Sequence, residues 1–189
     1  MNPPPGFADG DLILRVMQKD DRNAFGELVR RHQSQLRASL RKMTGNVTLA
    51  DDVAQETFIL AWKNIKSFRF EAKFSTWLYR IAFNVWQSEV RKKHELPLDE
   101  TVIPLMEAND NSAADNGVRR DLEHAMQGLT PGEHHAITQC YFNDLSHEEA
   151  AWVLGTPLGT VKTNILKARE KMRARLAAYA SDYGQGVAA

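Results

Sequence analysis

A single cysteine, Cys140, stands in the whole chain, which excludes an internal disulfide and any zinc pattern built from several cysteines. No apolar run approaches the roughly 18 residues that would cross a bilayer, so no stable membrane insertion is expected. The opening MNPPPGFADGD has neither a basic segment nor an apolar core. It does not read as a secretory signal, and a cytoplasmic location is the expectation. Apolar alternation with a period of two is missing throughout, which leaves no strand candidate. No nucleophile elbow, phosphate loop or paired acid and base stands out, so no enzyme is predicted. His134, His135, Cys140 and His147 fit no closed ligand set, and neither a metal nor a cofactor is expected.

Net charge is also absent, with 24 Lys and Arg against 24 Asp and Glu. That balance conceals three blocks: residues 1–94 carry 16 basic against 10 acidic side chains, 95–117 none against 6, and 118–189 carry 8 against 8. Residues 95–117, ELPLDETVIPLMEANDNSAADNG, combine two prolines with no sustained period and read as a flexible acidic linker, too long for a loop within a compact domain. The layout predicted is a disordered N-terminus at 1–8, a domain at 9–94, the linker at 95–117, a second domain at 118–180 and a flexible tail at 181–189.

What is present is helical periodicity. Phe25, Leu28, Val29, His32, Leu36, Leu40 and Met43 recur at three- and four-residue steps. Val53, Ala54, Phe58, Ala61, Trp62 and Ile65 make a second stripe, and Leu78, Ile81, Ala82, Val85 and Val90 a third. In the second domain, Thr130-Pro131-Gly132-Glu133 and Ser146-His147-Glu148-Glu149 each put a hydroxyl at an N-cap and a Glu three residues on. The fold class expected is all-α, two small helical bundles.

The segment LGTPLGTVKTNILKAREKMRARL (154–176) follows the capped HEEAAWVL. Gly155 suits a C-cap, and Thr156-Pro157 suits a cap followed by proline at the first helical position. A capped helix, a tight glycine turn and a longer helix form a helix-turn-helix pattern. At about 100° per residue, Val161, Ile165, Ala168, Met172 and Leu176 share one stripe. Thr163, Leu166, Lys167 and Glu170 lie opposite. Lys167 suits guanine acceptors, Thr163 a base or phosphate, and Leu166 a thymine methyl. Lys162, Arg169, Lys171 and Arg173 suit phosphates. A solvated basic helix in a helical hairpin explains the charges alone, but not the capped helix and turn that precede them.

FRFEAKFSTWLYRIAFNVW (68–86) holds seven of the chain's 16 aromatic residues, with Arg69, Lys73 and Arg80 among them. Aromatic faces beside cations suit stacking on unpaired bases, each stack being worth about 1–3 kcal/mol. Core packing accounts for Trp77 and some of the phenylalanines. Tyr79, Phe83 and Trp86 lie off the Leu78 stripe and are expected to be exposed, which favours DNA opening. In ADDVAQETFILAW (50–62), Asp51 and Asp52 suit a helix N-terminus, and a protein-docking helix is the sharper alternative.

Together DDVAQETFILAW, FSTWLYRIAFNVWQSEVRKK and LTPGEHHAITQCYFNDLSHEEAAWVLGTPLGTVKTNILKAREKMRARL resemble the extracytoplasmic-function (ECF) group of sigma-70-type transcription initiation factors, over nearly the whole chain. The resemblance implies that the two domains are sigma regions 2 and 4. It implies that Asp52, Gln55, Glu56 and Trp62 dock on core RNA polymerase. Ser67, Phe68, Phe70, Phe74, Arg80, Asn84, Gln87, Arg91 and Lys92 would serve the promoter −10 element, with the loop 67–75 capturing an unstacked base. Lys162, Thr163, Leu166, Lys167 and Arg169 would serve the −35 element. The implied partners are the polymerase (its beta-prime clamp and beta flap), promoter DNA and an anti-sigma factor. Leu49, Ser88 and Asn164 depart from the family pattern, Leu49 standing where an acidic residue is common. A phosphorylated Thr48 would restore negative charge beside it, which makes a Ser/Thr kinase a further candidate partner. The rival reading is a stand-alone helix-turn-helix repressor or activator, which needs neither the aromatic segment nor the Gln55 helix.

Overall fold

The computed structural model describes residues 9–95 and 116–185. The arm 1–8, residues 96–115 of the expected linker and residues 186–189 lie outside the described residues. Among those described there are helices and no strands, and they gather into two compact units.

The first unit carries α1 (Gly10–Lys19), α2 (Arg22–Thr44), α3 (Val47–Asn64) and α4 (Phe74–Glu95). Each turn between them has a local cause. Asp20 stops α1 in a left-handed conformation, φ 48°. Asp21 then caps α2, its carboxylate accepting the Asn23 and Ala24 N–H groups at 3.0 Å. Gly45 ends α2 at φ 63°, where a side chain would be strained. Asn46 caps α3 by accepting the Leu49 N–H at 2.9 Å. Such a cap is worth about 1 kcal/mol.

These turns fold the stripes onto one core of Ile13, Val16, Ala24, Leu28, Ala61, Ile65, Phe68, Phe74 and Leu78. From the first stripe Leu28, Leu36, Leu40 and Met43 are buried, and from the second Val53, Ala54, Ala61 and Ile65. Full burial of a leucine or isoleucine contributes about 1.5–3 kcal/mol. A 3₁₀ turn, Ile65–Ser67, leads out of α3 into the loop before α4.

The second unit carries α5 (Asn116–Met126), α6 (Pro131–Ile137), the first turn of α7 (His147–Leu154) and α8 (Leu158–Gln185). Both predicted capping boxes are present. Glu133 accepts the Thr130 N–H at 2.9 Å while Thr130 accepts the Glu133 N–H at 3.4 Å. Glu149 and Ser146 repeat the exchange at 3.0 and 3.1 Å. After Ile137 the helix widens into a π segment, Thr138–Phe142, closed by the Asn143 N–H donating to the Thr138 carbonyl at 3.2 Å. The helical spacing anticipated no such widening. The last helix runs to Gln185, so residues 181–185, expected in a flexible tail, are helical.

Candidate nucleic-acid interface

The turn before α8 is built as its residues suggest. Gly155 lies at φ 62°, and the Thr156 N–H donates back to the Ala151 carbonyl at 3.1 Å. The start of α8 falls one residue later than expected. The Pro157 carbonyl accepts from Thr160 at 2.9 Å and from Val161 at 3.2 Å, so Pro157 itself occupies the N-cap. An N-cap must supply a carbonyl but no N–H, and proline meets that condition.

Along α8 the division of faces holds. Val161, Ile165 and Ala168 are buried, whereas Lys162, Thr163, Leu166, Lys167 and Arg169 are exposed, Leu166 by 59%. An isobutyl group left that open on a helix with a filled apolar face is available to a partner's methyl or ring edge. The Thr163 hydroxyl donates to the Gly159 carbonyl at 2.9 Å, which leaves its oxygen free to accept. Two cations of the same helix turn inward. Lys171, read from sequence as a phosphate contact, donates instead to the buried Glu133 at 2.8 Å. Arg175 donates to the His124 carbonyl at 3.2 Å. Arg169 and Arg173 edge an open apolar groove of about 870 Å³ lined also by Leu122, Ile137, Phe142 and Met172.

The aromatic segment of the first unit is arranged differently from its sequence reading. Phe68 and Phe74, expected among the base-contacting residues, are only 5% and 3% exposed. Their rings meet edge to face at 6.1 Å, and Phe68 also meets Trp77 at 5.4 Å. Tyr79 and Phe83, expected outside, are buried as well. The cause is that α4 packs against both α2 and α3, so its buried arc is wider than one stripe. Burial pushes the Tyr79 phenol up to about 12. What remains outward is Ser67, Arg69, Glu71 and Lys73, while Phe70 is half-exposed with its ring against Phe68 at 5.0 Å. Phe70 adopts φ 57°, a left-handed conformation that is costly for a bulky side chain and concentrates at functional loops.

Along α4, Arg80, Asn84, Gln87 and Arg91 follow one another at four- and three-residue steps and share a face. Lys92 does not join them. It pairs with Glu89 at 2.7 Å and lines a groove of about 380 Å³ between α3 and α4, with Glu56, Leu60 and Ser88. On α3, Asp52, Gln55 and Glu56 are exposed. Trp62 is half-buried, its ring meeting Phe25 at 5.1 Å, so it braces the helix more than it protrudes. Ile59, passed over in the sequence, is 40% exposed. It lies three and four residues from Glu56 and Gln55, and its position off the Val53 stripe was the available signal. Thr48 is exposed in the first turn of α3, and Asp51 one turn on accepts from Arg41 at 3.4 Å.

Cys140 is half-buried, and burial followed by the Glu148 charge pushes its thiol up to about 11. Among the described residues no group of three His, Cys, Asp or Glu side chains is placed to hold a metal ion. No described helix is long and apolar enough to cross a membrane.

Residues 28–95 match the family model for sigma-70 region 2, and residues 119–172 match that for sigma-70 region 4. The ECF RNA polymerase sigma factor SigW of Bacillus subtilis is 35% identical over 176 residues, 86% of this chain and 94% of that one. The ECF RNA polymerase sigma-E factor of Haemophilus influenzae is 30% identical over 183 residues, 90% of this chain and 96% of that one. Among solved structures, CnrH in complex with the cytosolic domain of CnrY matches with a TM-score of 0.67 and 29% identity, covering 90% of this chain and 98% of that one. The sigma factor RpoE of Bartonella quintana, in complex with the anti-sigma factor NepR, matches in fold with a TM-score of 0.63 at 22% identity, over 81% and 96%. Both family regions, in order, on a chain whose second unit turns a capped basic helix outward, lead to one conclusion: this protein belongs to the ECF group of the sigma-70 family and is an alternative sigma factor, a DNA-binding factor of promoter recognition and transcription initiation.

Proposed function

We propose that the chain docks on core RNA polymerase through the α3 face of Asp52, Gln55, Glu56 and Ile59, and reads the two promoter elements with separate surfaces. Domains at 9–94 and 118–180, joined by the acidic linker 95–117, carry one of those surfaces each. Thr163, Leu166 and Lys167 contact −35 base edges, and Lys162 and Arg169 the phosphates beside them. The open side chain of Leu166 between two hydrogen-bonding neighbours is the observation that carries this assignment. At the −10 element Phe70 takes the stacking role, Ser67 supports the loop by donating to the Asn64 carbonyl at 2.7 Å, and Arg80, Asn84, Gln87 and Arg91 follow the opened strand. Phe68 and Phe74 shape that loop from beneath. Chemistry belongs to the polymerase, and this chain supplies the address.

Run-off transcription with purified core polymerase on genomic promoter fragments tests the assignment. Promoter-specific transcripts that fall with both Gln55→Ala and Lys167→Ala are the expected result. Promoter binding by the free chain that is indifferent to Gln55→Ala and represses rather than directs transcription would establish the repressor reading instead.

Two partners accompany this reading. The relative CnrH is found with the cytosolic domain of CnrY, and the apolar groove edged by Arg169 and Arg173 offers an anti-sigma factor a surface here. A Ser/Thr kinase acting on Thr48 would place a phosphate at the N-terminus of α3, where the helix dipole favours it. Thr48→Glu then raises transcript yield over the unmodified chain, and equal yields would remove the kinase from the scheme.

A further inference from the structure

The four residues Thr163, Lys167, Lys171 and Arg175 stand four apart and form one ridge along α8. The first two point outward, and the last two are bound within the second unit. Lys171 Nζ donates at 2.8 Å to Oε2 of Glu133, and the same oxygen accepts the Thr130 N–H at 2.9 Å. The Glu133 side chain is 4% exposed and that of Lys171 43%, so the carboxylate is the buried partner and the ammonium reaches in to it. A buried carboxylate without a cation is costly. Burial pushes the Glu133 carboxyl up, but Lys171 and the Thr130 N–H outweigh it and hold it below its ordinary range. One turn further, the Arg175 guanidinium lies over Gly128, where an added Cβ would come within 2.4 Å of Cζ. Two turns before Lys171, on the same face of α8, the Asn164 amide lies 3.0 Å from where a Gly132 Cβ would stand. One face of α8 thus meets the end of α5, the turn 127–130 and the start of α6.

We infer that Glu133 and Lys171 are a positioning pair, which fixes the rotation of α8 one turn beyond Lys167 and so aims the base-contacting residues, and that Lys171 holds no phosphate. This rests on the −35 reading proposed above. Lys171 and Glu133 touch no base; they act through the helix that does. A rotation of α8 would misalign Thr163, Leu166 and Lys167 together while leaving the phosphate contacts of Lys162 and Arg169 in reach. The pair therefore governs discrimination more than affinity.

The test uses holoenzyme assembled from core polymerase and the full chain, on a promoter fragment it transcribes and on the same fragment with the −35 block replaced. The ratio of open complexes on the two fragments is read for each variant, together with the slope of binding against salt. Lys171→Met and Glu133→Gln each lower the ratio about fivefold, and the double variant lowers it no further, because the two residues act as one coupled pair. Gln keeps the capping acceptor and removes only the charge. Lys171→Arg restores the ratio, and the salt slope does not change in any of them. An equal loss on both fragments with a slope flatter by about 0.9 would mark Lys171 as a phosphate contact and overturn the inference. So would an unchanged ratio in Lys171→Met and Glu133→Gln. Should Glu133→Gln fail to fold, Lys171→Met against Lys171→Arg decides alone. Wild-type holoenzyme that ignores the −35 block would sink the reading itself, and the pair's role with it.

Discussion

The two units handle their conspicuous side chains in opposite ways. The second unit displays what its sequence advertises, with Lys162, Thr163, Leu166 and Lys167 all outside on α8. The first hides it: Phe68, Phe74, Tyr79 and Phe83, four of the seven aromatics in its densest run, are buried. The contrast follows from packing. Both helices pack on two others, α4 on α2 and α3 and α8 on α5 and α6, but from Val161 to Lys167 only Val161 and Ile165 are buried on α8 and the opposite face stays open. Aromatic density therefore reports a core more readily than a binding face, and Phe70 alone of the seven combines partial exposure with a left-handed backbone.

Matched substitutions would break this contrast if it is wrong. Phe74→Ala should cost the first unit about 3–5 kcal/mol, as large-to-small changes in cores do. Leu166→Ala should leave thermal unfolding within about 0.5 kcal/mol of wild type and weaken only −35 discrimination. Calorimetry beside transcription separates the two, and comparable melting losses in both variants would mean that Leu166 is not the open side chain described.

Acid should separate the units next. Burial first, and the neighbouring His134 charge second, lower His135 to about 4. Its unfolded value is about 6.5, so between those limits the unfolded chain binds the extra proton and the second unit loses stability as pH falls. The full loss is about 3 kcal/mol, present as stability above about pH 6.5 and gone by about pH 4. Glu133 is lowered too, and its contribution disappears only below the ordinary carboxylate range. Replacing His135 with Phe should flatten the dependence over that window; a second-unit transition equally pH-sensitive in that variant would reassign the effect.

The smallest change sharpens the comparison at the turn. Ser146→Ala removes the hydroxyl that accepts the Glu149 N–H at 3.1 Å and should cost the second unit about 1 kcal/mol, with promoter choice unaltered. Denaturant titration reads it, and a shift in the −35 preference would show that α7 sets more than stability.

What was legible in the sequence was local. Thr130, Ser146 and Gly155 act on groups within four residues, so their spacing sufficed to place the caps and the turn. The apolar stripe of α8 survived from Val161 to Ala168 for the same reason, but Leu176, expected on it, is exposed. Partners supplied from far along the chain were not legible. Lys171 meets a residue 38 positions away and Arg175 one 51 positions away, and nothing in the run of basic residues told these two from Lys162 or Lys167. Tyr79 and Phe83 failed likewise, because the helices that cover them, α2 and α3, come from elsewhere in the chain. Ile59 was visible as an apolar residue off its stripe, and needed only exposure to give it meaning.

The π segment carries a consequence for anyone aligning or editing this chain. Widening Thr138–Phe142 adds one residue to the last turn before Asn143, so side chains within it are spaced round the axis differently from those of α6. Residues 135–139 are all buried in succession across the junction of α6 and the π segment, more than one face of a straight helix can hide. Deleting a single residue there would remove the Asn143 closure onto Thr138 and change which side chains of 138–142 face the core, while α8, held on α6 through Lys171 and Glu133, keeps its own rotation. A one-residue gap at this place is thus a change of core packing in the second unit, not merely of length.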